Sequence, residues 1–376
     1  MDEVKFLREL LEIYSPSGHE APLADYLVGK MAQFGFDVQI DEVGNVIGEL
    51  RGARSKGAEG QRSRGEFSSA PPHPGSPTPL LLFLGHIDTV PGFIPVRLEG
   101  GRLYGRGAVD AKGPLAAFIL AAAKAAPSLE GKRIVVGAVE EEAGSRGARH
   151  IVGKFRPDYA IIGEPSGWDG ITLGYKGSLF LDYRLSRPAK HNAAEGPSPP
   201  EEAVGFWNRL TAYVDEVNRG KRRRFESLDL SLQEINSSGD GFVQRVEMAI
   251  GVRMSLGFNL AAFKGKALDL VDGAEVSFQD EELPFRSGKN NPLVRSFLRA
   301  IRALGGKPRF KLKTGTSDMN IVGPAWGCPI VAYGPGDSSL DHTPDEYIEV
   351  EEYLRAIEVL TQVMANCHSQ SVRGKR

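Results

Sequence analysis

Cysteine is scarce. Only Cys328 and Cys367 occur among 376 residues, they form no C-x-x-C pair, and a disulfide framework is therefore excluded. Excess charge of either sign is also missing. The 46 Lys+Arg and 48 Asp+Glu leave a formal net charge of −2, whereas a chain built to coat nucleic acid normally shows a marked basic excess. No apolar run approaches the roughly 20 residues that a bilayer span requires. The opening residues, MDEVKFLRELLEIYS, lack the basic-then-apolar order of a signal peptide. A cytoplasmic protein is expected, with no nucleic-acid or membrane partner. A G-x-S-x-G elbow is absent, which removes support for a serine hydrolase. Internal repeats are not apparent.

The length and the 41% hydrophobic content fit two globular domains or one interrupted domain, because single cores stop growing at roughly 250–300 residues. Helical spacing of Val4, Leu7, Leu10 and Leu11 predicts a first helix over 2–13, stopped by Ser15-Pro16-Ser17-Gly18. A second helix is expected over 20–34, with strands near 36–42 and 45–50. Residues 52–79, rich in Gly, Ser, Arg and Pro, read as a mobile surface loop. Leu80–Leu84 reads as a buried parallel strand, 114–126 as an Ala-rich helix, and Arg133–Val139 and Asp158–Ile162 as further core strands. The texture changes near residue 177 to the order β-α-β-β-α-β, a ferredoxin-like plan, and returns to core-type segments after Pro292. The expected fold is mixed α/β. A largely parallel sheet with helices on both faces (1–175 and 284–376) carries an inserted α+β ferredoxin-like domain (176–283).

Polar residues collect at the ends of the core strands. His86 and Asp88 lie in Gly85-His86-Ile87-Asp88, where side chains project into the crevice that α/β folds use for their sites. A His two residues before an Asp allows the imidazole to bind metal while the carboxylate orients its other nitrogen; a solvated turn is the alternative. Asp110 precedes the Ala-rich helix and fits either a ligand or a helix cap. Glu140-Glu141-Glu142 abut a core strand, where crowded carboxylates call for a cation unless solvent relieves them. Glu164 follows another core strand, and His342 lies in Leu340-Asp341-His342-Thr343-Pro344-Asp345-Glu346. Imidazole with hard carboxylates and no thiolate suits Zn, Co or Mn. There are more donors than one ion uses. Two ions roughly 3.5–4 Å apart can share a carboxylate and clamp a hydrolytic transition state.

In order, GHIDTV, GRGAVDAKG, EEEAG, GEPS and DHTPDE resemble the motifs of the M20 metallopeptidase and amidohydrolase family. The resemblance covers about residues 5–365, apart from the 52–79 insertion. It implies a two-metal catalytic domain with an inserted dimerisation domain, hence a homodimer with two divalent ions per subunit, zinc first and cobalt or manganese as alternatives. It further implies that His86, Asp110 and Glu164 hold one ion, that Asp110 bridges, and that Glu142 and His342 complete the second site. Glu141 becomes the general base and Asp88 the partner of His86. His191 becomes the residue that reaches the neighbouring subunit's site, although Lys-His-Asn stands where Ala-His-Ser is commoner. Arg253 aligns with an arginine that grips the substrate carboxylate, and Thr316 with a hydroxyl near the metals. A surface arginine and a helix-capping turn are the respective alternatives.

Within the family, GRGAVDAKGPLAAF and KTGTSDMN look most like hydrolases that release lysine or ornithine from an acidic amino-group carrier protein in lysine and arginine biosynthesis. A deacylase or dipeptidase of the acetylornithine deacetylase kind is the alternative, and a metal binder without turnover is a remote one.

Overall fold

The computed structural model describes residues 2–51, 79–126, 131–191, 193 and 195–373. The expected loop at 52–79 lies, apart from Pro79, outside the described residues. The chain divides into two units. The first holds Met1–Gly174, Ser287–Leu312 and Ser317–Arg376; the second holds Tyr175–Arg286 and Lys313–Thr316.

Unit 1 begins with helices α1 (Glu3–Glu12) and α2 (Ala21–Gln33) and strands β1 (Asp37–Ile40) and β2 (Val46–Arg51). Then come β3 (Leu80–His86), β4 (Arg97–Glu99), β5 (Arg102–Tyr104), α3 (Lys112–Ala125), β6 (Lys132–Ala138), α4 (Arg146–Lys154), β7 (Tyr159–Ile162) and β8 (Gly170–Tyr175). Unit 2 is formed by β9 (Gly177–Pro188), α5 (Pro199–Val217), β10 (Asp229–Gly239), β11 (Val243–Met254), α6 (Leu260–Asp269), β12 (Glu275–Glu282) and the short β13 (Phe285–Arg286). The chain closes with α7 (Pro292–Ala303), β14 (Arg309–Lys313), α8 (Asp318–Trp326), β15 (Ile330–Ala332), β16 (Tyr347–Glu349) and α9 (Val350–Arg373).

The main sheet runs β1-β2-β6-β3-β7-β15-β8. Its centre, β6-β3-β7-β15, is parallel, and β2 and β8 are antiparallel to their neighbours. Every residue of β3 is buried, with Leu81 and Phe83 in the main core and Leu82 and Leu84 covered on the opposite face. That two-sided burial is what a continuous apolar run means in a parallel sheet. The small side chains of α3 let it press on β3, where Phe118 meets Phe83 at 5.0 Å between ring centres. Gly163 is forced by the same packing: a Cβ there would sit 2.9 Å from Phe118 and 3.1 Å from the Gly85 backbone.

In unit 2 the order β10-β11-β9-β12 is antiparallel throughout, the arrangement of the ferredoxin-like plan. Leu179, Leu181, Tyr183 and Leu185 point alternately into a core shared with Phe206 and Leu210 of α5 and Phe263 of α6. A capping box of Ser198 and Glu201 starts α5.

Several elements carry no sequence expectation. The small sheet β16-β5-β4 is built of three-residue strands, too short for a period to register. Helix α8 begins at the capping turn offered as the alternative for Thr316, with Ser317 and Asn320 as its capping box, but Pro324 inside it hides the rest of the helix from the sequence. Among the described residues, no helix is long and apolar enough to cross a membrane.

Candidate metal centre

The site is assembled at the carboxyl ends of parallel strands, the usual crevice of an open α/β sheet. Register explains why. His86, the last residue of β3, pairs with Ala138 at the end of β6, so Val139–Glu142 emerges beside it. Leu84 pairs with Ile162 at the end of β7, which brings Gly163-Glu164 to the same edge.

His86 is 1% exposed, and its Nδ1 lies 3.0 Å from the Asp88 carbonyl. A carbonyl only accepts, so Nδ1 carries the proton and, in the neutral ring, Nε2 keeps a lone pair that could bind a metal ion. That Nε2 lies 3.3 Å from Oδ1 of Asp110. The other Asp110 oxygen, Oδ2, lies 3.2 Å from His342 Nε2, which is also 3.0 Å from Glu142 Oε1. Asp110 thus offers one oxygen to each imidazole, the disposition a bridging carboxylate needs. Donor atoms of His86, Asp110 and Glu164 lie within 4.8 Å of one another, as do those of Asp110, Glu142 and His342. Asp110 does not cap α3. Ala111 is the N-cap residue, without a side-chain bond.

Asp88 acts on more than the imidazole. Its carboxylate is fully buried and 3.4 Å from His86 Nδ1, farther than the carbonyl, while Oδ1 accepts from the Glu141 amide and Oδ2 from the Glu142 amide, both at 3.0 Å. Ser17 Oγ donates to the same Oδ2 at 2.7 Å. The preceding amides are held likewise: Val139 by Asn45 Oδ1 at 3.0 Å and Glu140 by Glu20 Oε1 at 3.2 Å. Four consecutive N–H groups therefore end on side-chain oxygens from distant segments. These bonds over-determine a turn in which Glu140 has a φ of +58°, a conformation that costs of order 1–3 kcal/mol. Ser17, Glu20 and Asn45 carry no expectation from sequence; the one available signal is a run of small polar residues after α1.

Burial and mutual repulsion set the electrostatics. Burial raises Glu141 well above its usual range, with Glu164, Asp318 and Glu142 adding to the effect against His86. Glu142 is also raised by burial, opposed by its bond to His342. Burial lifts Asp318 to about 7. Burial opposes a charge on His86, yet bonds to Asp110 and Asp88 hold it well above 6.5. Bonds to Asp110 and Glu142 raise His342 to about 10. Burial works against the Asp110 carboxylate, but both imidazoles hold it below the ordinary range. The cluster demands positive charge, and this donor set of two imidazoles and hard carboxylates fits divalent metal ions. A second group, Asp41, Glu42 and His150, already has its cation: Lys154 Nζ lies 3.4 Å from Asp41 and 2.8 Å from Glu42.

The remaining expected residues belong to unit 2. Arg253 on β11 donates to the Thr316 hydroxyl at 3.3 Å, and burial lowers its guanidinium. Exposed His191 accepts the Ala193 amide at Nδ1 over 3.1 Å, so Nε2 is its protonated nitrogen.

Residues 82–366 match the model of peptidase family M20/M25/M40. The chain is 42% identical over 371 residues to a [LysW]-lysine hydrolase of Deinococcus radiodurans, covering 96% of this chain and 95% of that one. It is 30% identical over 369 residues to a [LysW]-lysine/[LysW]-ornithine hydrolase of Sulfurisphaera tokodaii, covering 95% of each. An M20 family metallo-carboxypeptidase from Sulfolobus solfataricus has the same fold, with a TM-score of 0.76 at 19% identity over 98% of this chain and 100% of that one. A dinuclear metal binding peptidase from Bacillus subtilis matches at 0.66 and 13% identity over 98% of each chain. By family model and by relatives spanning nearly its whole length, the chain belongs to peptidase family M20/M25/M40.

Proposed function

We propose that the protein is a metal-dependent amide hydrolase that releases lysine, ornithine or both from an acidic amino-group carrier protein. The observation that carries the chemistry is Asp110, with one oxygen toward each of two imidazoles. The substrate assignment rests on the two relatives, whose names state LysW-linked lysine and ornithine.

In this reading His86, Asp110 and Glu164 hold one divalent ion, and Asp110, Glu142 and His342 hold the other. Zinc is the first choice for these donors, with cobalt and manganese as alternatives. Bound there, such ions would supply Lewis acidity for the scissile carbonyl and would acidify a water near neutral pH. Glu141 takes a proton from the attacking water and returns it to the departing α-amine, acting as base and then acid. Asp88 holds the amides of Glu141 and Glu142, fixing base and ligand in one turn. The products are a free diamino acid and the carrier's carboxylate.

Unit 2 serves as the dimerisation domain of a homodimer in this proposal. His191, with Nε2–H as donor, is the group that one subunit lends to its partner's oxyanion. Arg253, half-buried beside Thr316, grips the substrate carboxylate.

Purified, metal-loaded protein assayed against carrier-linked lysine, carrier-linked ornithine and acetylornithine tests the proposal. Cleavage of either carrier-linked substrate is expected. Turnover of acetylornithine alone would refute the carrier, and no turnover of any would refute hydrolysis.

A further inference from the structure

Glu346 is fully buried, yet its carboxylate is saturated. Oε1 accepts from the amides of Val109 at 2.8 Å and Asp110 at 3.1 Å; Oε2 accepts from the Gly107 amide at 3.1 Å and Arg106 Nη1 at 2.9 Å. Three of its four bonds therefore go to the backbone of the loop that presents Asp110. Arg106 also donates to the carbonyls of Thr343 at 3.1 Å and Gly92 at 3.1 Å, and the Gly105 amide donates to the Glu346 carbonyl at 3.2 Å. The Asp110 loop and the segment after His342 are thereby fastened to each other.

We infer that Glu346 is a positioning residue for both metal sites, acting through the Asp110 backbone. The parallel with Asp88 is direct: each is a buried carboxylate that accepts the amides of a ligand-bearing turn. The reach differs. Asp88 adjoins His86 and fastens the turn of Glu142, a different donor for each site, whereas Glu346 fastens Asp110, the one donor common to both. Removing an acceptor from Glu346 leaves buried N–H groups without a partner, and they must turn elsewhere, which rotates the Asp110 carboxylate away from both imidazoles. Changes behind metal ligands typically weaken affinity roughly 10–100-fold.

The inference rests on the metal-centre reading and not on the identity of the substrate. It is tested by zinc titration of the full chain, with stoichiometry from elemental analysis and unfolding of the metal-free protein measured alongside. Wild type must bind two ions; if it does not, the ligand reading itself fails. Given two ions, Glu346→Gln is expected to weaken both about 10–100-fold. Glu346→Asp, which keeps the acceptor charge, should recover part of the loss, and Glu349→Gln on the exposed Arg102 pair should change neither. Wild-type affinity at both sites, or loss at one alone, in a folded Glu346→Gln variant overturns the inference. Should that variant not fold, hydrogen exchange on metal-free wild type decides. Amides of Gly107, Val109 and Asp110 that exchange as slowly as those of β3 support a preformed clamp, and rapid exchange overturns it.

Discussion

Replacing Glu141 with Gln separates proton transfer from everything else at the centre. The amide of residue 141 donates to Asp88 at 3.0 Å whichever side chain it carries, and the neighbouring Glu142 amide keeps its own 3.0 Å bond. Glutamine also fills the same volume. The turn and the three donors Asp110, Glu142 and His342 should therefore stay in place, and metal content should remain near wild type. Proton transfer by a positioned group is worth about 10²–10⁴ in rate, and at about 1.36 kcal/mol per decade even the lower bound is about 2.7 kcal/mol of transition-state free energy. Turnover of carrier-linked lysine should fall at least ~100-fold. A second readout follows from burial. The folded protein holds the Glu141 carboxyl well above its ordinary 4.5, so its contribution is fully present below 4.5 and is lost as pH rises through the folded value. Glutamine has no charge to desolvate. Metal-free Glu141→Gln should melt above metal-free wild type at neutral pH, and the gap should close as pH falls below 4.5. Kinetics, elemental analysis and thermal melts decide the matter together. A kcat within tenfold of wild type at full metal occupancy refutes the base, and a rate loss that tracks metal loss makes Glu141 a ligand instead.

Glu142→Gln or His342→Ala should each lower metal content from two ions toward one per chain, read by elemental analysis; retention of two by both variants refutes the ligand set. Mixing inactive His191→Ala with inactive Glu141→Gln should restore some activity after subunit exchange, because one site of a mixed dimer receives both intact residues. No recovery in a verified mixed dimer counts against a shared site. The exposed run Arg219 and Lys221–Arg224, between α5 and β10, is expected to speed encounter with the acidic carrier. Neutralising Lys221, Arg222, Arg223 and Arg224 should raise KM for the carrier-linked substrate and flatten its salt dependence, with a small acyl-amino acid little affected. Equal effects on both substrates would assign the run to stability or assembly.

Sequence alone pointed to the candidate donors and to the periodic elements. His86, Asp110, Glu142, Glu164 and His342 stand out as candidates because each lies in a short motif resembling the M20 family, the first four at strand ends or a helix start and His342 in a turn. The strand read at Leu80–Leu84, which extends to His86, the Ala-rich α3 and the β-α-β-β-α-β order were legible because burial on two faces, close packing and half-exposure each leave a different period in the residues. Only the tertiary structure decided how the donors are held. Ser17, Glu20, Asn45 and Glu346 lie 71, 120, 94 and 236 or more residues from the groups they fasten, and a bond over that separation leaves no local period. The same holds for the division of labour in Asp88. A His-x-Asp spacing suggests a carboxylate for the imidazole, but the register of β3 against β6 places the amides of Glu141 and Glu142 in line with both of its oxygens. Backbone N–H groups are carried by every residue except proline, so which of them needs a carboxylate is fixed only when strands pair.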